Sequence, residues 1–170
     1  VGPDASPERF RGIRIFDISN IKKPKQVGAV QTCRGSHTHS VVAGPTADNK
    51  IIVYNSGTGR VREEDELDGC IGNIAGDTRT AYFSIDVIEI PINDPASSRI
   101  VSSPRVFADN DKGIIAGLWR GGDHGDGTQD TRPTNQCHDI TVFPSAGIAA
   151  GACSGNGILF DISDPYKPTR

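Results

Sequence analysis

Methionine is absent from the 170 residues, so Val1 is not a native translation start. Residues 1–11 are polar, hold two prolines and offer no apolar stretch of the kind a signal peptide carries. They read as the new N-terminus left by a removed leader, or as the start of an internal fragment. No run approaches the roughly 20 apolar residues of a membrane-spanning helix, which argues against a transmembrane segment. A basic stripe is lacking too: 18 Lys and Arg against 21 Asp and Glu give a net charge of −3. That leaves little to neutralise phosphates, and nucleic acid is not expected as a partner. There is no CxxC pair and no GxSxG elbow. The short phrases Gly57-Thr58-Gly59 and Gly155-Asn156-Gly157 lack the remaining spacing of phosphate loops. No residue is assigned a catalytic role, and the sequence leans away from an enzyme. Sustained helical periodicity is missing everywhere; Ile114 to Trp119 is the one stretch that reads as a short helix.

What is present is loops and strands. Twenty glycines and 11 prolines separate short alternating apolar runs, the composition of an all-β protein. One phrase recurs: Phe16-Asp17-Ile18-Ser19-Asn20, Ile90-Pro91-Ile92-Asn93-Asp94-Pro95 and Phe160-Asp161-Ile162-Ser163-Asp164-Pro165. Each comes after a strand-like run and leads into an Asx-type turn. A second element, His39-Ser40-Val41-Val42 or His138-Asp139-Ile140-Thr141, opens a hairpin. Joined, the two predict a four-stranded meander with strands A (37–43), B (50–56), C (81–92) and D (98–103). The next copy has A from His138, B from Gly147 and C from Gly157, and lacks D. Before the complete unit lie only C and D of a previous one, at 12–18 and 26–30. Sequential four-stranded antiparallel units are the blades of a β-propeller. The organisation expected is therefore 1–30 as the outer half of a blade, 31–103 as a complete blade with an insertion at 57–80, 104–136 as a long inter-blade insertion, and 137–170 as the inner part of the next blade. A ring needs about four to eight blades, so these residues cannot close one alone.

The text of these units resembles a known family. Gly12-Ile13-Arg14-Ile15-Phe16-Asp17-Ile18-Ser19 and Gly157-Ile158-Leu159-Phe160-Asp161-Ile162-Ser163-Asp164-Pro165, with Cys137-His138-Asp139-Ile140 upstream, resemble the LVIVD repeat. The likeness is good over 137–168 and 12–28 and partial over 37–101, where Pro91 replaces the usual Asp; the two insertions fall outside it. The resemblance implies a β-propeller fold and export from a bacterium, to the periplasm, the cell surface or the medium. It implies no established activity and no catalytic residues.

Cys33, Cys70, Cys137 and Cys153 form an even set whose spacing suits two disulfides of an exported protein better than a tetrathiolate zinc site, with buried thiols as the plain alternative. Sequence alone allows three pairings. Cys137 opens strand A and Cys153 closes strand B, so a hairpin brings them opposite one another. Cys137–Cys153 is the preferred pair, leaving Cys33 to tie insertion 57–80 down through Cys70. Propeller topology puts the D–A and B–C connections on one face, so both insertions, all the cysteines and all the histidines gather there.

Three readings of His37, His39, His138 and His124 compete. They hydrogen-bond within their own blades, they line a polar site, or they hold a transition metal such as Cu, Zn or Fe near the channel. Methanethiol oxidases are propellers with a histidine-bound central metal, a likeness of architecture and not of sequence. Asp109, Asp111, Asp123, Asp126 and Asp130 lie in Gly- and Asp-rich stretches, including Asp109-Asn110-Asp111-Lys112-Gly113, that suit Ca²⁺ loops or ordinary turns. The run Arg60, Arg62, Glu63, Glu64, Asp65, Glu66 reads as a solvated loop. Trp119, the sole Trp, is an anchor for its insertion or a partner contact. Three functions result: a binding or scaffold module whose partner is another protein or the rest of its own propeller, a metal-dependent oxidoreductase, or a carbohydrate- or surface-binding module. The last is disfavoured by an aromatic content of only 6%.

Overall fold

In the computed structural model, residues 5, 6, 8–72, 77–109 and 111–170 are described. Positions 73–76 of the first insertion, Asn110 of the first Asp-rich stretch and the four N-terminal residues that bear on the leader reading lie outside them. The recurring phrase folds as a recurring turn. Asp17 Oδ1 accepts the Ser19 N–H and Asp161 Oδ1 accepts the Ser163 N–H, both at 2.8 Å. Asn20 Oδ1 and Asp164 Oδ1 then accept the N–H groups of Lys22 and Tyr166. The third copy has Pro91 in place of the first Asp and keeps only the backbone part. Ser97 N–H bonds Asp94 O, as Lys23 N–H bonds Asn20 O and Lys167 N–H bonds Asp164 O. Side-chain acceptors that satisfy the turn's own N–H groups are what make Asp-x-Ser a reliable chain reversal.

Around these turns stand antiparallel sheets. Strands β1 (Gly12–Asp17) and β2 (Lys25–Gln31) form a hairpin. Strands β3 (Thr38–Ala43), β4 (Lys50–Ser56), β5 (Asp86–Pro91) and β6 (Arg99–Ser102) form a four-stranded meander in sequence order. Two-residue pairs decorate the second insertion, β7 (Ala108–Asp109) with β8 (Ile114–Ile115) and β9 (Gly122–Asp123) with β10 (Asp130–Thr131). Strands β11 (Asp139–Phe143), β12 (Ile148–Cys153) and β13 (Asn156–Asp161) make a three-stranded sheet. The chain is all-β and none of its sheets closes on itself. Thr169 pairs with Asp161 through two backbone hydrogen bonds of 3.0 and 2.8 Å, adding a single rung to the free edge of β13.

Register exposes the internal repeat. Val41, Val53 and Ile88 form one cross-strand row of the meander, and Ile140, Gly151 and Ile158 form the equivalent row of the three-stranded sheet. Strand alternation splits the meander's side chains between two cores. Val42, Ile52, Tyr54 and Val87 face the three-stranded sheet and meet Ile140, Ala149, Cys153, Ile158 and Phe160. Val53, Ile88 and Ile90 face the hairpin and meet Ile13 and Val30. Each fully buried Ile or Val contributes about 1.5–3 kcal/mol, so the meander is held from both sides. At its second core the hairpin comes so close that a Cβ on Gly28 would lie 2.2 Å from Pro95 O.

Two expectations change. Strand C starts at Asp86, because Thr80 Oγ1 accepts the Tyr82 N–H and turns Ala81–Phe83 into a 3-10 helix. Ile114 to Trp119 is not helical: Gly113 and Gly117 take φ of +64° and +79°, and Ile114–Ile115 pairs as β8 instead.

One carboxylate fastens the meander to the last segment of chain. Glu89 is 3% exposed; it forms ion pairs with Lys50 Nζ at 3.0 Å and Arg99 Nη2 at 2.7 Å and accepts a hydrogen bond from Tyr166 Oη at 3.0 Å. The Lys50 bond, aided by Tyr166 and Arg99, holds the carboxyl below its ordinary value near 4.5. A lowered acid stabilises the fold above its unfolded-state pKa and loses that contribution as pH falls through the folded one. Glu89→Gln is therefore expected to lower the melting temperature at pH 6–7 and to flatten its decline below about pH 4.5, as measured by thermal melts. Parallel wild-type and variant profiles over pH 3–6 would refute this.

Candidate functional site at the insertion-bearing end

Strand polarity puts the starts of β3 and β11 and the ends of β4 and β12 at one end of the stack, as the pairings Thr38↔Ser56 and Asp139↔Ala152 show. Insertions 57–80 and 104–136 leave from this end. The opposite end has short turns, including 3-10 helices at Pro95–Ser97 and Pro144–Ala146. Both expected disulfides are present here. Cys33–Cys70 has its Cα atoms 5.3 Å apart and Cys137–Cys153 has them 3.8 Å apart, and no cysteine is free. In the chain-entropy account, closing loops of this size is worth about 3–4 kcal/mol each. Two structural disulfides fit an oxidising, extracytoplasmic compartment. No helix among the described residues is long and apolar enough to cross a membrane.

Arg34 binds this end together. Its side chain donates from Nε to Gly59 O at 2.7 Å, from Nη1 to Tyr82 O at 2.9 Å and Asn135 O at 3.3 Å, and from Nη2 to Thr58 O at 3.2 Å. One buried guanidinium thus ties the β2–β3 link to both insertions through carbonyl groups. The run expected to be a solvated loop is only half so. Arg62 and Glu66 are buried and pair at 2.8 Å, while Arg60 and Glu63 pair in solvent. Arg9 reaches Glu66 and Val61 packs beside Cys70, which pulls the loop's inner face under cover.

Of the four histidines, the fold brings two together. The His37 and His138 rings meet edge to face with centroids 3.9 Å apart. Asp139 Oδ2 lies 2.6 Å from His138 Nδ1, and Thr38 Oγ1 donates to the other carboxylate oxygen. These bonds, Thr38 first and His138 second, hold the Asp139 carboxyl below its usual range. Among the described residues, His37, His138 and Asp139 are the one group of three such side chains with ligand atoms within 4.8 Å of one another. His39 does not join it. His37 sits in a bend before β3, so the two-residue strand period does not run through it, and His39 turns to the opposite face and bonds Ser36 Oγ at 3.1 Å. His124 is held apart in the second insertion, stacked on Trp119 at 4.2 Å. Asp139 was not among the expected ligands; its place directly after His138 on an A strand was the available signal.

The Asp-rich stretches stay dispersed. Asp109 pairs with Lys112 at 2.9 Å, Asp123 and Asp130 face each other across β9 and β10, and Asp111 and Asp126 are exposed. None of the five belongs to a three-ligand group among the described residues. Trp119 is half-buried; its Nε1 donates to Thr131 Oγ1 at 2.8 Å, and its backbone N–H donates to Thr134 Oγ1 at 2.9 Å. It lies against Gly155, where a Cβ would come within 2.3 Å of its ring and where φ is +77°. That is the geometry of an anchor joining the second insertion to the β12–β13 turn.

Comparison of the chain with protein-family models, with curated proteins and with solved structures found no match in any of the three. Function must come from the geometry. Two imidazoles and a carboxylate at a strand start suit a borderline metal ion, and the Asp139 bond to His138 Nδ1 leaves Nε2 as that ring's other donor atom. They suit equally a polar site that recognises a ligand through hydrogen bonds without a metal.

The Trp119 contact is open to a direct check. Gly155→Ala is expected to cost about 1–3 kcal/mol from the left-handed backbone and the ring clash, and to shift the single-tryptophan emission to the red. An unchanged spectrum would show that the ring does not rest on this turn.

Proposed function

We propose that this chain is part of an exported, disulfide-braced β-propeller of the LVIVD-repeat kind, in a bacterial periplasm, at the cell surface or secreted. In this reading it serves as a binding or scaffold module, or as a subunit of a larger assembly, and meets its partner through the insertion-bearing face. The observation that carries the reading is segregation. Both insertions, both disulfides and the His37–His138 contact sit at one end of stacked sheets whose other end has only tight turns. The matching rows of the two sheets and the contact between β3 and β11 support a radial arrangement of blades. Ser40 Oγ donates to Ile140 O at 2.8 Å across that contact.

A second reading, a metal-dependent oxidoreductase, is favoured by one observation, the His37, His138 and Asp139 group. It would place a Cu, Zn or Fe ion where two neighbouring A strands meet, open to solvent.

Two measurements separate them. Replacing residues 122–132 by a short Gly-Ser linker is expected to leave the fold intact, because Gly121 and Pro133 are already in contact, and to release the full-length protein from its native assembly on size exclusion. Persistence of the assembly, or a strictly monomeric native protein, would count against the scaffold. Metal analysis of the purified protein tests the rival: a stoichiometric ion lost in His138→Ala supports it, and a protein that stays metal-free after exposure to Cu, Zn and Fe removes it.

A further inference from the structure

Arg34 is 8% exposed, yet no carboxylate approaches it; among the described residues it takes part in no ion pair. Its neighbours are the carbonyls of Thr58, Gly59, Tyr82 and Asn135 and the face of Tyr82, 4.7 Å from its guanidinium carbon. Carbonyl dipoles satisfy hydrogen-bond geometry and leave a full positive charge in place. An uncompensated buried charge is costly unless something of opposite sign comes near. Four of its five N–H groups are used, so one on Nη2 is still unspent.

Arg34 forms part of the wall of a surface pocket of about 570 Å³, within the range of small-ligand sites. Arg11 and Arg14 line the same pocket, together with Gly35, Ser36 and His37. Arg11 Nη1 donates to Arg60 O at 3.0 Å, which again leaves the charge unpaired. The Arg14 guanidinium carbon lies 4.3 Å from the centre of the Phe10 ring, a cation–π contact that, like the Arg11 bond, leaves the charge without an acid. Among the described residues, no Asp or Glu lines the pocket. Three arginines thus line one pocket, with no acid among its described lining residues, in a chain of net charge −3. Elsewhere on this molecule arginines do find carboxylates, as Arg62 finds Glu66 and Arg99 finds Glu89.

We propose that this pocket binds an oxoanion, a phosphate or sulfate group carried by a small ligand. The guanidinium fork matches tetrahedral oxoanions through paired, charge-assisted hydrogen bonds. Arg11 and Arg14 offer such forks from the mouth, Arg34 supplies fixed charge behind them, and Ser36 contributes a hydroxyl at the rim. The pocket depends on neither functional reading above, since its charges come from β1, the residue just before it and the β2–β3 link. It shares only His37 with the candidate metal group.

The test uses the intact folded protein with inorganic phosphate and, separately, inorganic sulfate as probes, each against sodium chloride at equal ionic strength. Calorimetric titration and thermal melts are both read. Saturable binding of either oxoanion with a rise in melting temperature is expected, and Arg11→Gln and Arg14→Gln are each expected to weaken it about tenfold. Lys22→Gln, at the far turn of the same hairpin, is expected to leave it unchanged, as are EDTA treatment and His138→Ala. Chloride acting as well as phosphate, equal losses in Lys22→Gln, or loss of binding on EDTA treatment would each overturn the proposal, the last by showing that a metal holds the anion. Arg34 is left intact, because its carbonyl bonds hold the insertions.

Discussion

The central constraint is that the four-stranded meander buries both of its faces. Consecutive residues of β4, Ile52, Val53 and Tyr54, are at most 4% exposed, yet the middle one belongs to a different core from its neighbours. A one-residue slip of register would exchange the two cores wholesale. The hairpin and the three-stranded sheet have their positions because these two apolar faces must be covered. Once they are covered, the strand ends align, and bulk can be added only in the connections at those ends; this chain adds it at one of them. The site is where it is for this reason.

At that end the structure relies on polar bonds more than on apolar packing. The small cluster of Val61, Cys70 and Ala81 is the only apolar core under the first insertion among the described residues. A disulfide, the Arg62–Glu66 pair and the Arg34 carbonyl cage supply the other restraints. This leaves cations fixed in place by backbone carbonyls beside a pair of imidazoles, one of which, His138, is oriented by Asp139. Electrostatically the end has two characters, a donor set suited to a cation at His37, His138 and Asp139, and a cationic recess next to it.

Strands and turns were legible in the sequence because their causes are local. Period-two alternation and Asp-x-Ser turns act within a few residues, and the Asp17 and Asp161 bonds show the same mechanism in two copies. The Cys137–Cys153 pair came from hairpin register. What was not legible depends on distant groups. His39 and His37 separate because of a bend between the β2 end and β3, which no alternation rule reports. Arg62 and Glu66 look like solvent residues until Arg9 and Gln31 approach from another part of the chain. Arg34 carries no motif at all; its four acceptors come from three separate segments of the chain.

The sulfur chemistry has a final implication for durability. Every cysteine of the chain is in a disulfide and methionine does not occur in it. Peroxide therefore finds neither a thiol to convert to sulfenic acid nor a thioether to convert to sulfoxide. Trp119, stacked on His124 against Gly155, becomes the most oxidisable side chain that remains, which suits the polypeptide to surroundings rich in oxidants and makes that single indole its natural dosimeter.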